Sequence, residues 1–240
     1  MTGLGLAADR VGVTTPISDE LELRDGERIR VRPIRPADAA QLAALHARLS
    51  KDSIYRRYFG FKAALSPAEI QRFTGIAEEW RFALVGVRST GPLVGVARYE
   101  GQPGRHDAEI ALIVDDALHH MGLGTLLLQR LVDVALVSGM TSLTAVVLAS
   151  NMPMLHLIRG LPVPSTSVRD SGDIEVTMHL AGLELPADRS RIAAAHIAEA
   201  VAIRATLATS LPEVILTGNG AGASGPGFPA CALARRGRSA

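Results

Sequence analysis

The chain has 240 residues, room for one domain or two small ones, and its 25 basic and 24 acidic residues leave a net charge of +1. This balance argues against broad electrostatic capture of nucleic acid, and an aromatic content of 4% argues against stacking platforms for single strands. The single cysteine, Cys231, excludes a disulfide framework and a cysteine-based metal site within one chain, so a reducing cytoplasm is the expected compartment.

No apolar run reaches the ~18 residues needed to span a bilayer, and the start shows no signal peptide. We expect a flexible arm over 1–19, a folded domain over 20–183, a C-terminal helix over 184–210 and a disordered tail over 211–240. The alanine-rich helix could pack on the sheet or on another subunit, so a homo-oligomer stays open.

The first half of the domain predicts two strands, two helices and a hairpin. An edge strand at 20–23 precedes a strand at 28–34, in which apolar residues alternate with arginine. Pro36 suits the first turn of a helix that continues over 40–49, and Ser66 with Glu69 forms a capping box for a short helix. Strands at 81–87 and 93–99 form the hairpin, and a strand at 108–114 extends it to a meander.

The aromatic segment 50–61 has two interpretations. It holds two of the three tyrosines and two of the five phenylalanines, together with Arg56 and Arg57. One interpretation is a helix that packs its aromatic side chains on the core. The other is one wall of a substrate site, with Tyr55, Arg56 and Tyr58 as substrate-binding residues.

The second half predicts a crossover. A helix over 123–137 is stopped by Gly139, and the apolar strand 142–149 follows it. Because a helical crossover links this strand to 108–114, the two strands should be parallel and adjacent. Asn151 then opens another helix, to about residue 159, and strands at 164–169 and 174–180 form a last hairpin.

The segment 108–125 combines a strand, a carboxylate and a glycine-rich turn. Glu109 stands near the start of the strand, and Gly122 and Gly124 stand between the strand and the next helix. Glycines at such a junction let backbone N–H groups face an anion, which the helix dipole also favours. The segment therefore predicts a phosphate site beside a carboxylate, at the carboxyl ends of two diverging parallel strands.

These motifs resemble the GNAT superfamily of acetyltransferases. His119-His120-Met121-Gly122-Leu123-Gly124 stands where that family has Gln/Arg-x-x-Gly-x-Gly/Ala, and Asn151 begins a block like its second conserved one. With residues 28–42, 53–61 and 108–114, the match is closest to the catalytic domain of bacterial protein lysine acetyltransferases, including the cyclic-nucleotide-regulated mycobacterial type. It covers about 28–180 and implies an α+β GNAT fold, a mostly antiparallel twisted sheet with a splayed parallel pair.

The resemblance implies acetyl-CoA as co-substrate and direct transfer of its acetyl group to a primary amine, with a protein lysine favoured over a small amine. It also implies Glu109 as the general base, because an amine is mostly ammonium at neutral pH. Glu100, at the end of the previous strand, is the competing carboxylate, and an ion pair with Arg98 or Arg105 is the structural alternative for Glu109. The implied acetyl-CoA site comprises Leu112, Ile113, Val114, His119, His120, Met121, Gly122, Leu123, Gly124, Thr125 and Asn151.

The sequence departs from the family pattern at three places. His119 and His120 replace the usual Gln/Arg and Gly, and Ile158 replaces a tyrosine that protonates the leaving thiolate in many relatives, with His156 as a spare candidate. The helix end at 158–161 is also shorter than usual. No metal is predicted, because adjacent histidines on a turn rarely bind one ion together.

Two other functions stay open at this point. The departures would also suit a non-catalytic acyl-CoA-binding regulatory module. A nucleic-acid partner would rest on short arginine clusters alone, Arg56 with Arg57 and Arg235, Arg236 and Arg238 in the tail.

Overall fold

The computed structural model describes residues 19–210, except 25, 76, 77 and 90. The predicted arm, the predicted tail, Cys231 and the tail arginines therefore lie outside the described residues. Among the described residues, no helix combines the length and the apolar character that crossing a membrane would require.

Eight strands and six α-helices follow one another within the described part of the chain. The strands are β1 (Asp19–Glu22), β2 (Arg28–Pro33), β3 (Arg81–Arg88), β4 (Leu93–Gly101), β5 (Asp107–Val114), β6 (Ser142–Leu148), β7 (Ser165–Asp170) and β8 (Asp173–His179). The helices are α1 (Ala39–Arg48), α2 (Lys51–Tyr58), α3 (Pro67–Thr74), α4 (Leu123–Val137), α5 (Met152–Arg159) and α6 (Ala187–Ser210), with 3₁₀ turns at Pro36–Asp38 and Asp116–Leu118. The predicted strands and helices are thus confirmed, with ends that differ by at most about three residues.

The strands form one mixed sheet in the order β1-β2-β3-β4-β5-β6-β8-β7. Every neighbouring pair is antiparallel except β5 and β6, which are parallel and joined by α4. This confirms the predicted α+β class and the predicted crossover. The expectation that the GNAT fold would show a single parallel pair is also correct.

Two separate cores cover the two faces of the sheet. The larger lies between the sheet and α4, whose Leu123, Leu127 and Leu131 are fully buried. The smaller lies under α1 and α3 and contains Leu42, Leu45 and Val85. Both faces of the central strands are therefore buried, as their nearly continuous apolar sequences require.

A glycine pair lets α4 approach the sheet closely. Gly86 and Gly95 face each other across β3 and β4. A Cβ atom on Gly86 would lie 3.2 Å from a Leu123 methyl group, and one on Gly95 would lie 2.8 Å from a Leu127 methyl group. The first turn of α4, which follows the glycine-rich loop, is fixed by this contact.

Helix α6 is held to α4 and to the strand β1 by buried charges. Asp19 accepts hydrogen bonds from Arg130 at 2.9 and 3.1 Å and lies 3.0 Å from His196 Nε2. Asp133, which is fully buried, pairs with Arg189. The predicted C-terminal helix thus packs on this chain's own α4 and β2; the division into a domain over 20–183 and a separate helix stays a prediction.

Candidate active site

A groove opens in the sheet where β5 and β6 part. The two strands pair only at Asp107–Ser142, Ala108–Leu143 and Glu109–Thr144. Further along, β5 stays paired with β4 as far as Val114, and β6 stays paired with β8 as far as Leu148. From residue 110 of β5 and 145 of β6 onward, the facing strand edges have no strand partner among the described residues, and their backbone amides and carbonyls border the groove.

The groove has a volume of about 1350 Å³. Ligand sites for drug-sized molecules occupy roughly 300–1,000 Å³, so this space suits a longer, extended ligand. Most of the predicted site residues line it: Arg56, Tyr58, Glu109, Leu112, Ile113, Val114, His119, His120, Gly122, Gly124, Thr125 and Asn151.

Three predicted site residues do not line the groove. Leu123 is fully buried in the core under α4, so only its backbone could face a ligand in the loop. Met121 is half-buried against the same core, and its carbonyl oxygen accepts from the backbone of Arg24 at 3.5 Å. Tyr55 is 53% exposed, and it is not among the α2 residues that line the groove.

Residues 119–125, which we call the cradle, form a tight turn at the start of α4. His120 (φ 63°) and Gly122 (φ 97°) both adopt the left-handed conformation. A side chain at Gly122 would meet nothing within 4 Å, so glycine is favoured there by its conformational freedom. His120 is a non-glycine residue in a conformation that glycine favours, and it occupies the position where the related family usually has glycine.

Glycine is favoured at position 124 for a different reason, which is the space beside it. A Cβ atom there would lie 3.1 Å from Leu157 Cδ1, 3.5 Å from Leu112 and 3.7 Å from Val114. Glycine therefore keeps the first turn of α4 open toward the groove between β5 and α5. His119 completes the turn, with its Nε2 atom 3.2 Å from the Val114 carbonyl oxygen.

Glu109 is the last β5 residue that pairs with β6, so it lies where the strands part, at a position that we call the groove floor. Its side chain is open to solvent there, so its desolvation is partial. Among the described residues its carboxylate makes no hydrogen bond or ion pair, because Arg105 pairs with Asp107 at 2.8 Å and Arg98 is 3.8 Å from Glu100. Desolvation by the groove walls raises the pKa of Glu109, as do the nearby Glu100 and Glu175 carboxylates, although Arg57 and Arg98 act in the opposite direction. A raised pKa suits a carboxylate that must accept a proton near neutral pH.

Glu100 has a different environment. It is the direct cross-strand partner of Glu109, but it accepts two hydrogen bonds from Arg72, at 3.0 and 2.6 Å. Arg98 lies beside it and over the ring of Phe73, with its guanidinium carbon 3.9 Å from the ring centroid, and burial lowers the pKa of Arg98 to about 10. This carboxylate is therefore engaged in an arginine cluster and is less suited to remove a proton from a substrate.

Arg57 and Arg98 line the groove beside Glu109 and were not among the predicted site residues. For Arg57 a local signal existed. Ile54 is buried, so the residues three and four positions later, Arg57 and Tyr58, lie on the same side of α2. Helix phase alone would have selected Arg57 together with Tyr58 rather than Tyr55.

The Asn151 block lies at the far wall of the groove. The Asn151 side chain accepts from the backbone N–H of Met154 at 3.3 Å and so caps α5. Ile158 is buried in the core, whereas His156 is exposed and lines the groove. Among the described residues, no group of three or more His, Cys, Asp or Glu side chains lies close enough together to hold a metal ion.

The mixed sheet, with its single parallel pair among the described residues and the α4 crossover between the two strands, has the architecture of the GNAT class. The family model "Acetyltransferase (GNAT) domain" matches residues 28–161, more than half of the chain, and the chain belongs to this family. GNAT acetyltransferases use acetyl-CoA, so the chain is an acetyl-CoA-dependent enzyme.

Among proteins of known name, the chain is similar to "Acetyltransferase PA5475" of Pseudomonas aeruginosa, with 29% identity over 160 residues that make up 65% of this chain and 85% of that protein. The solved GNAT domain of S. lividans PAT is similar at 27% identity and a TM-score of 0.62, over 68% of this chain and 97% of that one.

The cAMP-binding acyltransferase from Mycobacterium smegmatis is more distant, at 22% identity and a TM-score of 0.54, over 79% of this chain and 56% of that one. That likeness shows the fold alone. The predicted closeness to the mycobacterial type is therefore supported only at the level of the family.

The groove fits an extended acyl-CoA. The cradle offers a left-handed glycine turn at a helix N-terminus, the arrangement that binds phosphate groups in many proteins. The space kept open by Gly124 continues along the unpaired edge of β5, where a chain with amide groups could hydrogen bond to the strand. The cradle would hold the phosphate end and β5 would hold the pantetheine arm.

Proposed function

We propose that this chain catalyses direct transfer of an acetyl group from acetyl-CoA to a primary amine, with Glu109 as the general base and a protein lysine as the acceptor. The observation that carries the proposal is the position of Glu109. It stands at the point where β5 and β6 part, on the groove floor, without a cation bonded to its carboxylate among the described residues.

The groove suggests a chemical role for acetyl-CoA, for Glu109 and for the backbone of β5. When bound, acetyl-CoA supplies an acetyl thioester as the electrophile. Glu109 accepts a proton from the incoming ammonium, which makes the amine nucleophilic. The unpaired N–H groups of β5 beyond Glu109 are available to stabilise negative charge on the thioester oxygen.

No side-chain acid is assigned to the leaving thiolate. Ile158, at the position where many relatives have tyrosine, is buried and has no proton to donate. A thiol has a pKa of ~8–9 by analogy with cysteine, so the thiolate can leave without a protein acid at neutral pH. A cytoplasmic location, where acetyl-CoA and reduced thiols occur, is part of this proposal.

The lysine preference is supported by the resemblance of residues 28–42, 53–61 and 108–114 to bacterial protein lysine acetyltransferases. The test is acetyl transfer from radiolabelled acetyl-CoA to lysine-containing acyl-CoA synthetases, with polyamines and aminoglycosides in parallel. Labelled protein with unlabelled small amines supports a protein lysine. Labelling of the small amines alone would overturn that preference and leave the N-acetyltransferase in place, and transfer to none would overturn the proposed function.

A further inference from the structure

Asp116 connects the end of β5 to the start of α2. One carboxylate oxygen accepts from the backbone N–H of Ser50 at 2.7 Å, and the other accepts from the Ser50 hydroxyl at 3.1 Å and the Ser53 hydroxyl at 2.5 Å. These residues are 63 to 66 positions away in the chain. A carboxylate with three such donors is a fixed joint between the loop that follows β5 and the first turn of α2.

The Asp116 carboxylate is ionised over the physiological range. Burial acts to raise its pKa, but the hydrogen bonds from Ser53 and Ser50 outweigh burial and lower it. Ser50 is itself the N-cap of α2, since its hydroxyl accepts from the Ser53 backbone N–H at 3.1 Å. The joint therefore holds the helix by its first turn.

On one side, the joint leads directly into the cradle. Asp116 begins the 3₁₀ turn Asp116–Leu118, and the next residue is His119, the first residue of the cradle. The His119 Nδ1 atom lies 3.8 Å from the Asp116 carboxylate. A ligand that shifts or orders the cradle acts within three residues of this carboxylate.

On the other side, the joint leads to the wall that faces Glu109. Helix α2, Lys51–Tyr58, which we call the acceptor wall, carries Arg57 and Tyr58 at its far end, and both line the groove. The positive charge of Arg57 lowers the pKa of Glu109, so the orientation of α2 affects the proposed base. Eight helical residues span about 12 Å as a rigid unit, so a tilt at Ser50 displaces Arg57.

We propose that Asp116 is a positioning residue that fixes the acceptor wall relative to the acetyl-CoA cradle, so that binding in the cradle and placement of the acceptor amine are coupled. This inference rests on the proposed function, because it takes the cradle as the acetyl-CoA site and the groove between α2 and Glu109 as the amine site. It assigns Asp116 no contact with either substrate.

The neighbouring Asp115 provides a matched control. Its carboxylate accepts from the Ala117 N–H at 3.2 Å and from Arg48 Nε at 3.1 Å. It therefore has the same charge and the same loop, but it contacts the last turn of α1 instead of α2. Asp115→Asn removes an anion from the loop and leaves the joint to the acceptor wall intact.

The first test measures amide hydrogen exchange of α2 in the full chain, with and without CoA. In the wild type, CoA should slow exchange in α2 as well as in the cradle. In Asp116→Asn the factor by which CoA slows amide exchange in α2 should be at least tenfold smaller than in the wild type, while the Kd for CoA changes less than threefold. Asp115→Asn should behave like the wild type. The inference would be overturned if CoA slowed exchange in α2 of Asp116→Asn as much as in the wild type, or if Asp115→Asn lost this protection to the same extent as Asp116→Asn.

The second test separates positioning from a general loss of folding. Asp116→Asn should raise the KM for the amine about tenfold at saturating acetyl-CoA, while the Kd of the free enzyme for CoA changes less than threefold, and Ser53→Ala should reproduce part of this effect. The double variant should be no worse than Asp116→Asn, because both remove the same joint. Fully multiplicative effects of the two substitutions, or a tenfold weaker Kd of the free enzyme for CoA, would contradict the proposed role.

The two tests fail in different ways. If the wild type transfers acetyl to no amine, the proposed function fails, whereas CoA-dependent protection of α2 still reports on the joint. If CoA binds and transfer occurs but α2 is not protected, the joint fails and the function stands.

Discussion

Glu109 and Glu100 stand directly opposite each other on β5 and β4, yet of these two carboxylates only that of Glu100 is bonded to an arginine among the described residues. Two carboxylates that face each other across neighbouring strands repel. Here arginine side chains lie against one of the two, and their positive charge offsets the repulsion. Arg72 and Arg98 neutralise Glu100, and Glu109 remains available on the groove floor. This asymmetry supports the proposal that Glu109, rather than Glu100, is the base.

The pair predicts a shift in the pH profile of Glu100→Gln. The negative charge of Glu100 raises the pKa of Glu109, so its removal should lower that pKa. Because Glu109 must be ionised to accept a proton, the acidic limb of kcat/KM should move to lower pH. The measurement is kcat/KM between pH 5 and 9, with Glu20→Gln on the exposed face of β1 as the control. A limb that stays in place, or moves to higher pH, would contradict the assignment.

The cradle glycines predict two different defects. Gly122→Ala forces a side chain into the left-handed region and should cost about 1–2 kcal/mol of unfolding free energy. Gly124→Ala has an ordinary backbone but places its Cβ atom against Leu157. Leu157→Val should therefore rescue part of the loss in Gly124→Ala and none of the loss in Gly122→Ala. Urea unfolding of the four variants measures this, and equal rescue of both would show that the two glycines have the same role.

The buried charges under α6 predict that two substitutions in β1 lower the free energy of unfolding by different amounts. Asp19→Asn leaves Arg130 and His196 without their shared carboxylate and should cost about 3 kcal/mol. Glu22→Gln removes only an exposed partner of Arg28 at 4.0 Å and should cost less than about 0.5 kcal/mol. Equal losses in urea unfolding would mean that the buried network does not stabilise the fold.

The same network has a pH dependence of known sign. Burial alone would raise the pKa of Asp19, but the hydrogen bonds from His196 and Arg130 lower it below its ordinary value of 3.8. A depressed carboxylate pKa contributes stability that is present above the ordinary pKa and is lost as the pH falls through the folded-state pKa. The difference between the wild type and Asp19→Asn should therefore shrink below about pH 4, and a constant difference down to pH 2 would contradict this origin.

Much of the architecture follows from local signals in the sequence. Helix α4 begins and ends as predicted, because Gly122 and Gly139 both adopt left-handed conformations that stop regular structure. The helical crossover from β5 to β6 predicts that the two strands are parallel, and they are. Asn151 and Ser66 cap their helices through side-chain hydrogen bonds that their residue types favour.

The features of the site that the sequence did not predict depend on contacts between segments that are far apart in the chain. Glu100 with Arg72 joins residues 28 positions apart, and Asp116 with Ser53 joins residues 63 positions apart. No periodicity or spacing in one sequence reports such pairs. Leu123 shows a second limit of prediction from a motif. It lies in the middle of the predicted binding motif, but its side chain is buried in the core, so only its backbone could face a ligand.

The most direct test of the central claim is the turnover of Glu109→Gln with acetyl-CoA and a lysine acceptor across pH 5 to 9, with CoA binding measured by calorimetry. Loss of a general base should lower kcat about 10² to 10⁴-fold and remove the acidic limb, while the Kd for CoA stays within a few-fold of the wild type. Wild-type kcat at every pH in Glu109→Gln would contradict the role of Glu109 as the base.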